Sequence, residues 1–243
     1  MKIPCLVKIE DFFRNLRRLG KLYNQLDMFQ SALADPHIGL LDLRMENASV
    51  QKKYKYVFYG IKEGDICFDC GTHVGLISDI FLQMGAVVHA FEPQSCLFNM
   101  LKYKYKDKHI FLNNAAVSDT DGKTDFYTSD SESNMGTLEG SSVYYVEKSV
   151  RKFKYTVNTV DLCQYIQEHI ADKNKRIYIL KLDVEGSEFD ILPKLIETGM
   201  YNYADYIFVE THARLFDDGK EKLSSIENLI HENNITNIYL DWV

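Results

Sequence analysis

Three charged residues alternate along Leu180-Lys181-Leu182-Asp183-Val184-Glu185. Side chains two apart on a strand share a face, so Lys181, Asp183 and Glu185 are expected to point the same way. Buried without partners, three charges on a central strand would be costly. They are tolerable at the carboxyl end of a parallel sheet, where open α/β folds bind ligands. There Asp183 would orient or deprotonate an incoming hydroxyl, and Lys181 would hold its charge or touch the substrate. The competing reading is a Lys181–Asp183 ion pair that only fixes the strand end. A second strand ends in Val209-Glu210-Thr211-His212. Histidine titrates near neutrality, which makes His212 a natural general base at such a position. These residue types do not choose between Asp183 and His212 for the base. Asp183 and Glu210 alone are a thin set for a hard cation, which wants several oxygen ligands. A divalent metal is therefore not favoured, and a metal-free route through His212 is expected. Ser187 with Asp190 resembles a capping box, and Glu188 suits a helix's first turn. These three are read as structural, and Glu185 is left open.

A second constellation lies upstream, where a strand runs into Asp69-Cys70-Gly71-Thr72-His73-Val74-Gly75. A glycine directly after a strand lets the backbone turn sharply and approach a ligand. The second glycine lets the next helix pack closely and leaves its first N–H groups available. The following strand, Val87-Val88-His89-Ala90-Phe91, ends in Glu92, which can accept both ribose hydroxyls of an adenosine, and Pro93 opens a helix. Dinucleotide sites favour G-x-G-x-x-G, whereas the spacing here is Gly71-x-x-x-Gly75 with Asp69 ahead of it. That acid would repel a pyrophosphate but suits the ammonium group of S-adenosylmethionine. An NAD-linked oxidoreductase is the runner-up, and a third reading is an S-adenosylmethionine-binding module without catalysis.

These residues must be positioned by alternating elements. Strands are expected near 65–70, 86–91, 109–113, 124–127, 177–183, 204–210 and 237–242. Helices are expected near 74–84, 94–105, 159–169, 188–198 and 222–233. Such alternation implies a mostly parallel central sheet with helices on both faces, a Rossmann-like α/β fold. Apolar residues recur at helical spacing from Val7 to Leu33, so 1–50 is read as a helical extension to a domain over 51–243. That extension packs on the core by default, and it could also form a homodimer contact. The polar Ser129–Gly136 run lies within 128–152 and reads as a mobile substrate loop.

The stretches named so far resemble the FkbM-type family of class I S-adenosylmethionine-dependent methyltransferases. The resemblance extends through Asn113-Asn114-Ala115-Ala116-Val117-Ser118-Asp119, Thr156–Leu162, Phe208–His212 and, most specifically, the K-x-D-x-E-G-x-E string from Lys181 to Glu188. It implies O-methylation, often of sugar hydroxyls in glycans or natural products. It also implies that Glu92 holds the ribose and that the Asn114–Val117 region borders the adenine, so the expected cofactor-binding residues are Asp69, Gly71, His73, Gly75, Glu92, Pro93, Asn114, Ala115 and Ala116. Thr72 and His73 replace the alanine and asparagine of the usual loop. The usual seventh strand is expected to be missing after Tyr239-Leu240-Asp241-Trp242-Val243, unless the 124–127 strand or a partner chain covers that edge.

Composition narrows the setting. A chain of 243 residues that is 46% apolar supports one well-buried core and an appendage. A net charge of −7 argues against broad binding to nucleic acid. The Lys52–Lys55 and Lys102–Lys106 clusters read as surface with tyrosines packed inward. No apolar run is long enough to span a membrane. Five cysteines, an odd number, and no export signal point to a reducing cytoplasm. Cys67 and Cys70 sit on a strand, facing opposite ways, and are read as structural rather than redox-active. The seven histidines show no zinc spacing. A lysine- and tyrosine-rich composition suits the AT-rich genome of a bacterium that decorates surface glycans, with a small or sugar-like acceptor as partner.

Overall fold

The computed structural model describes residues 44–45, 48–128, 142–144 and 153–242. The chain divides into two units, Met1–Ser49 and Val50–Val243, and the sheets and the candidate site lie in the second. The helical reading of Val7–Leu33 and the 129–136 run lie outside the described residues.

The described elements run α1 (Lys55–Tyr59), β1 (Ile66–Cys70), α2 (Leu76–Gln83), β2 (Val87–Phe91), α3 (Ser95–Lys104) and β3 (Ile110–Asn113). Then come β4 (Ala116–Ser118), β5 (Gly122–Thr128), β6 (Phe153–Asp161), α4 (Leu162–His169) and β7 (Ile177–Leu182). Last are α5 (Glu188–Glu197), β8 (Ala204–Val209), α6 (Gly219–Glu232) and β9 (Ile238–Tyr239). Six strands form a parallel sheet in the order β3-β2-β1-β7-β8-β9. The fold is α/β and Rossmann-like, with β1 buried throughout, as expected of a parallel strand covered on both faces.

Alternation sorts the core. Phe68, Cys70, Leu180, Leu182, Ile207 and Val209 join one cluster with residues of α4, α5 and α6. On the other face Phe58 of α1 stacks with Phe81 of α2, Phe208 of β8 and Trp242. The strand order reverses between β1 and β7, so their carboxyl ends open a crevice, the usual ligand position in such sheets. Cys67 and Cys70 are free and buried, and burial pushes both thiols up.

Three differences from the sequence expectations have local causes. The helix expected from 159 begins at Leu162, because Asp161 caps it by accepting from the amides of Cys163 and Gln164. The residues before it form β6, the centre of a second, three-stranded sheet ordered β4-β6-β5. The 124–127 segment is therefore part of β5 in that small sheet and does not cover the β9 edge. The last strand shrinks to Ile238–Tyr239, the described end of the main sheet.

Candidate active site

The loop after β1 is shaped by close approach. Gly71 has φ +85°, and a Cβ there would stand 1.8 Å from the carbonyl oxygen of Asp183. The ends of β1 and β7 thus leave no room for a side chain. Thr72 is buried and ties the loop, donating from Oγ1 to the Asp69 carbonyl at 2.8 Å and accepting from the Phe91 amide. His73 sits in the left-handed region at φ +52°, which aims its amide at Glu92 Oε2, 2.8 Å away. Gly75 opens α2 at φ +83°, and the Tyr105 hydroxyl donates to its carbonyl at 2.9 Å.

Glu92 is 4% exposed and accepts a second amide, that of Gln94, at 2.8 Å. Burial pushes its carboxyl up to about 7, against the pull of those two amides. It lines a cavity of about 350 Å³ together with Gly71, His73, Pro93 and Ala116 on one side and Asp183, Glu185 and Glu210 on the other. Asn114 does not line the cavity but braces the backbone that does, donating to the carbonyls of Glu92 and Pro93. Ala115 is buried beside Ala116 and does not line the cavity.

Asp69 and Lys181 are placed differently from the expectation. They are paired neighbours in the β1–β7 register, on the same face, and both are buried. Lys181 Nζ lies 3.3 Å from Asp69 and 3.1 Å from Asp183 Oδ2, and it donates to the Gly71 carbonyl at 2.9 Å. Burial opposes its charge, but Asp183 and Asp69 outweigh it and hold the ammonium well above its ordinary pKa. Asp69 accepts from the Ser78 hydroxyl at 2.6 Å and does not line the cavity. Lys181 therefore braces the loop and Asp183 from beneath.

A profile of the FkbM methyltransferase domain matches residues 69–234. The chain belongs to the FkbM methyltransferase family. Searches of curated proteins and of solved structures give no significant match. Among the described residues no helix is long and apolar enough to cross a membrane.

In this methyltransferase the charged residues of the K-x-D-x-E-G-x-E string do not share one strand face. β7 ends at Leu182, and Glu185 is swung back by a turn with φ +53° at Glu185 and +116° at Gly186. The capping box expected at Ser187 does not form: Ser187 Oγ has no hydrogen-bond partner, and Asp190 is bonded by the Tyr144 hydroxyl. The Glu188 carboxylate instead takes the amides of Gly186 at 2.8 Å and His212 at 2.6 Å, and approaches His212 Nδ1 at 3.2 Å. Glu188 is thus a positioning residue that the helix-start reading passed over, although it closes the most specific motif in the chain.

His212 is 1% exposed, and its Nε2 faces Glu210 at 3.5 Å and Asp183 and Glu185 at 3.8 Å each. Burial works against its charge, but the Glu188 hydrogen bond and the surrounding carboxylates raise its pKa. Burial and the Asp183 charge also raise that of Glu210. Among the described residues, Asp183, Glu185 and His212 form a group whose donor atoms lie within 4.8 Å of one another. Ser142 donates to the Glu185 carbonyl at 2.5 Å and Val143 lines the cavity, so part of the 128–152 stretch does reach the site.

Proposed function

We propose that this methyltransferase uses S-adenosylmethionine to methylate a hydroxyl oxygen on a small, sugar-like acceptor. The observation that carries the reading is Glu92: a buried carboxylate, held by two backbone amides, that faces the cavity beside a glycine loop. Two oxygens fixed in this way suit the two hydroxyls of a ribose. The close approach at Gly71 keeps the cradle open, and Phe91, Ala116 and Val117 give it an apolar wall for a purine.

When bound, S-adenosylmethionine supplies a methyl on a sulfonium: the acceptor oxygen forms the new C–O bond, sulfur keeps the C–S pair, and the hydroxyl proton leaves to a base. The chain's own part is to align the acceptor and receive that proton. Asp183 is placed for both, since Lys181 holds its Oδ2 from below while the residue lines the cavity. His212 does not line the cavity, and its neighbours favour the imidazolium form, which suits holding carboxylates better than taking a proton. Asp183, Glu185 and Glu210 disfavour anionic acceptors and suit neutral, hydroxyl-rich ones. Surface-glycan sugars fit that description.

Calorimetry with S-adenosylhomocysteine tests the cofactor. Glu92→Gln should bind roughly 30-fold to 150-fold more weakly, the worth of about 2–3 kcal/mol in charge-assisted hydrogen bonds. Unchanged affinity would remove Glu92 from the site. Transfer of labelled methyl to a panel of sugars, giving product stable to mild base, is expected of an ether; base-labile label would mean that a carboxylate is the acceptor.

A further inference from the structure

His212 stands where the ends of β7 and β8 meet, with Nδ1 held by Glu188. Its Nε2 stands 3.5 Å from Glu210 and 3.8 Å from both Asp183 and Glu185, longer than the usual hydrogen-bond reach of about 2.7–3.2 Å. A side chain that is 1% exposed thus aims its Nε2 between three carboxylates. Beside them Ser187, 3% exposed, turns a hydroxyl with no hydrogen-bond partner to the same cavity. Unsatisfied buried groups are few in folded proteins, and one that lines the same cavity as these carboxylates asks for a ligand.

We propose that Asp183, Glu185 and His212 bind a divalent cation of the Mn²⁺ class. Lys181 occupies Asp183 Oδ2, which leaves Oδ1, the oxygen nearer His212, for the ion. An octahedral ion with bonds of about 2.1 Å holds its donors roughly 3.0–4.2 Å apart. The donor atoms here lie within 4.8 Å of one another, so small side-chain rotations close the site. Glu188 behind Nδ1 fixes the ring, the carboxylate–histidine support common to metal sites. One imidazole with carboxylates suits Mn²⁺ better than Ca²⁺, which takes oxygens alone.

Three protein ligands leave positions open towards the cavity that Asp183 and Glu185 line. An acceptor with two adjacent oxygens, a vicinal diol, would fill two of them, and the ion would polarise the hydroxyl to be methylated. With Asp183 committed to the ion, the proton passes instead to the Glu210 carboxylate, which lines the same cavity. This role for the ion rests on the proposed methyl transfer; its binding does not.

Mn²⁺ alone is the probe, added to the chelator-stripped full chain and followed by electron paramagnetic resonance. One equivalent should bind and show nitrogen coupling in the spin-echo spectrum. Glu185→Gln should weaken binding at least tenfold, and His212→Gln should lose the coupling. S-adenosylhomocysteine binding and the melting transition establish that each variant is folded. If His212→Gln does not fold, the coupling in the wild type and the partly exposed Glu185→Gln still decide. The proposal is overturned if Mn²⁺ stays free at millimolar concentration, binds without nitrogen coupling, or binds Glu185→Gln as tightly as wild type. Mn²⁺ binding by a chain that ignores S-adenosylhomocysteine would sink the cofactor reading and leave the metal site standing.

Discussion

Lys181 is 5% exposed and serves Asp69, Asp183 and the Gly71 carbonyl at once. Removing it strands Asp69, which is fully buried, as a charge without a cation. Breaking one partner out of a buried pair costs about 3–5 kcal/mol. Lys181→Met should therefore lower the unfolding free energy read from urea titration by that much and weaken cofactor binding through the loosened Gly71 turn. A loss below about 1 kcal/mol would show that the pairing is not structural. Glu92 titrates in the opposite sense for stability and for binding. Its carboxyl is raised to about 7, so its contribution to stability is complete below the ordinary 4.5 and is lost as pH rises through 7. Ribose hydroxyls want the ionised form, so S-adenosylhomocysteine should raise Tm more at pH 8 than at pH 6. In Glu92→Gln that difference should vanish.

At the scale of elements, the junction of the Gly71–Gly75 loop with α2 depends on α3 behind it. A Cβ on Gly75 would lie 2.2 Å from the Tyr105 hydroxyl, which also bonds Asp79 at 2.8 Å. Gly75→Ala pays twice, for the contact and for φ +83°. Removing the hydroxyl relieves only the first. Urea unfolding of a double-mutant cycle should show Gly75→Ala costing roughly 1 kcal/mol less in a Tyr105→Phe background than in wild type. Equal costs would mean that the backbone angle alone demands the glycine. The order of β1, the loop, β2 and Glu92 was legible in the sequence, because glycine placement and side-chain period are local signals. β6 was legible too, since Phe153-Lys154-Tyr155-Thr156-Val157-Asn158 alternates as a strand does. It was passed over because the helical pattern after it extends back to 159, and Asp161 sets the boundary only by capping.

For the molecule as a whole, acid sensitivity should trace in part to His89. It is buried in β2, stacked with Phe68 and Phe111 at 4.7 Å each, and its Nδ1 meets the Tyr165 hydroxyl at 2.9 Å. Burial first, then His169 and Lys175, lowers its pKa to about 4. The folded chain holds this ring neutral, so its stability is full above the unfolded value of 6.5 and is lost as pH falls towards 4. In His89→Phe, the fall in stability between those pH values should shrink by up to roughly 3 kcal/mol. A wild-type slope in the variant's pH-dependent unfolding would assign the acid loss to carboxylates instead.

By itself the sequence determined the family, the Rossmann-like order of elements, the glycine loop and the acid at the end of β2. Each of these is written in neighbouring residues, as a turn that needs glycine or a period of alternation. The tertiary structure decided which charges meet. Asp69 and Lys181 lie more than a hundred residues apart and pair because β7 lies beside β1 in register. Glu185 reaches His212 because β7 stops at Leu182 and the chain turns left-handed, which strand alternation does not encode. Glu188 read as a helix-start charge becomes the support of His212 because α5 begins beneath the end of β8. Register and strand ends are set by packing of the whole sheet, and so the convergence of Asp183, Glu185, Glu210 and His212 was not written in any one segment.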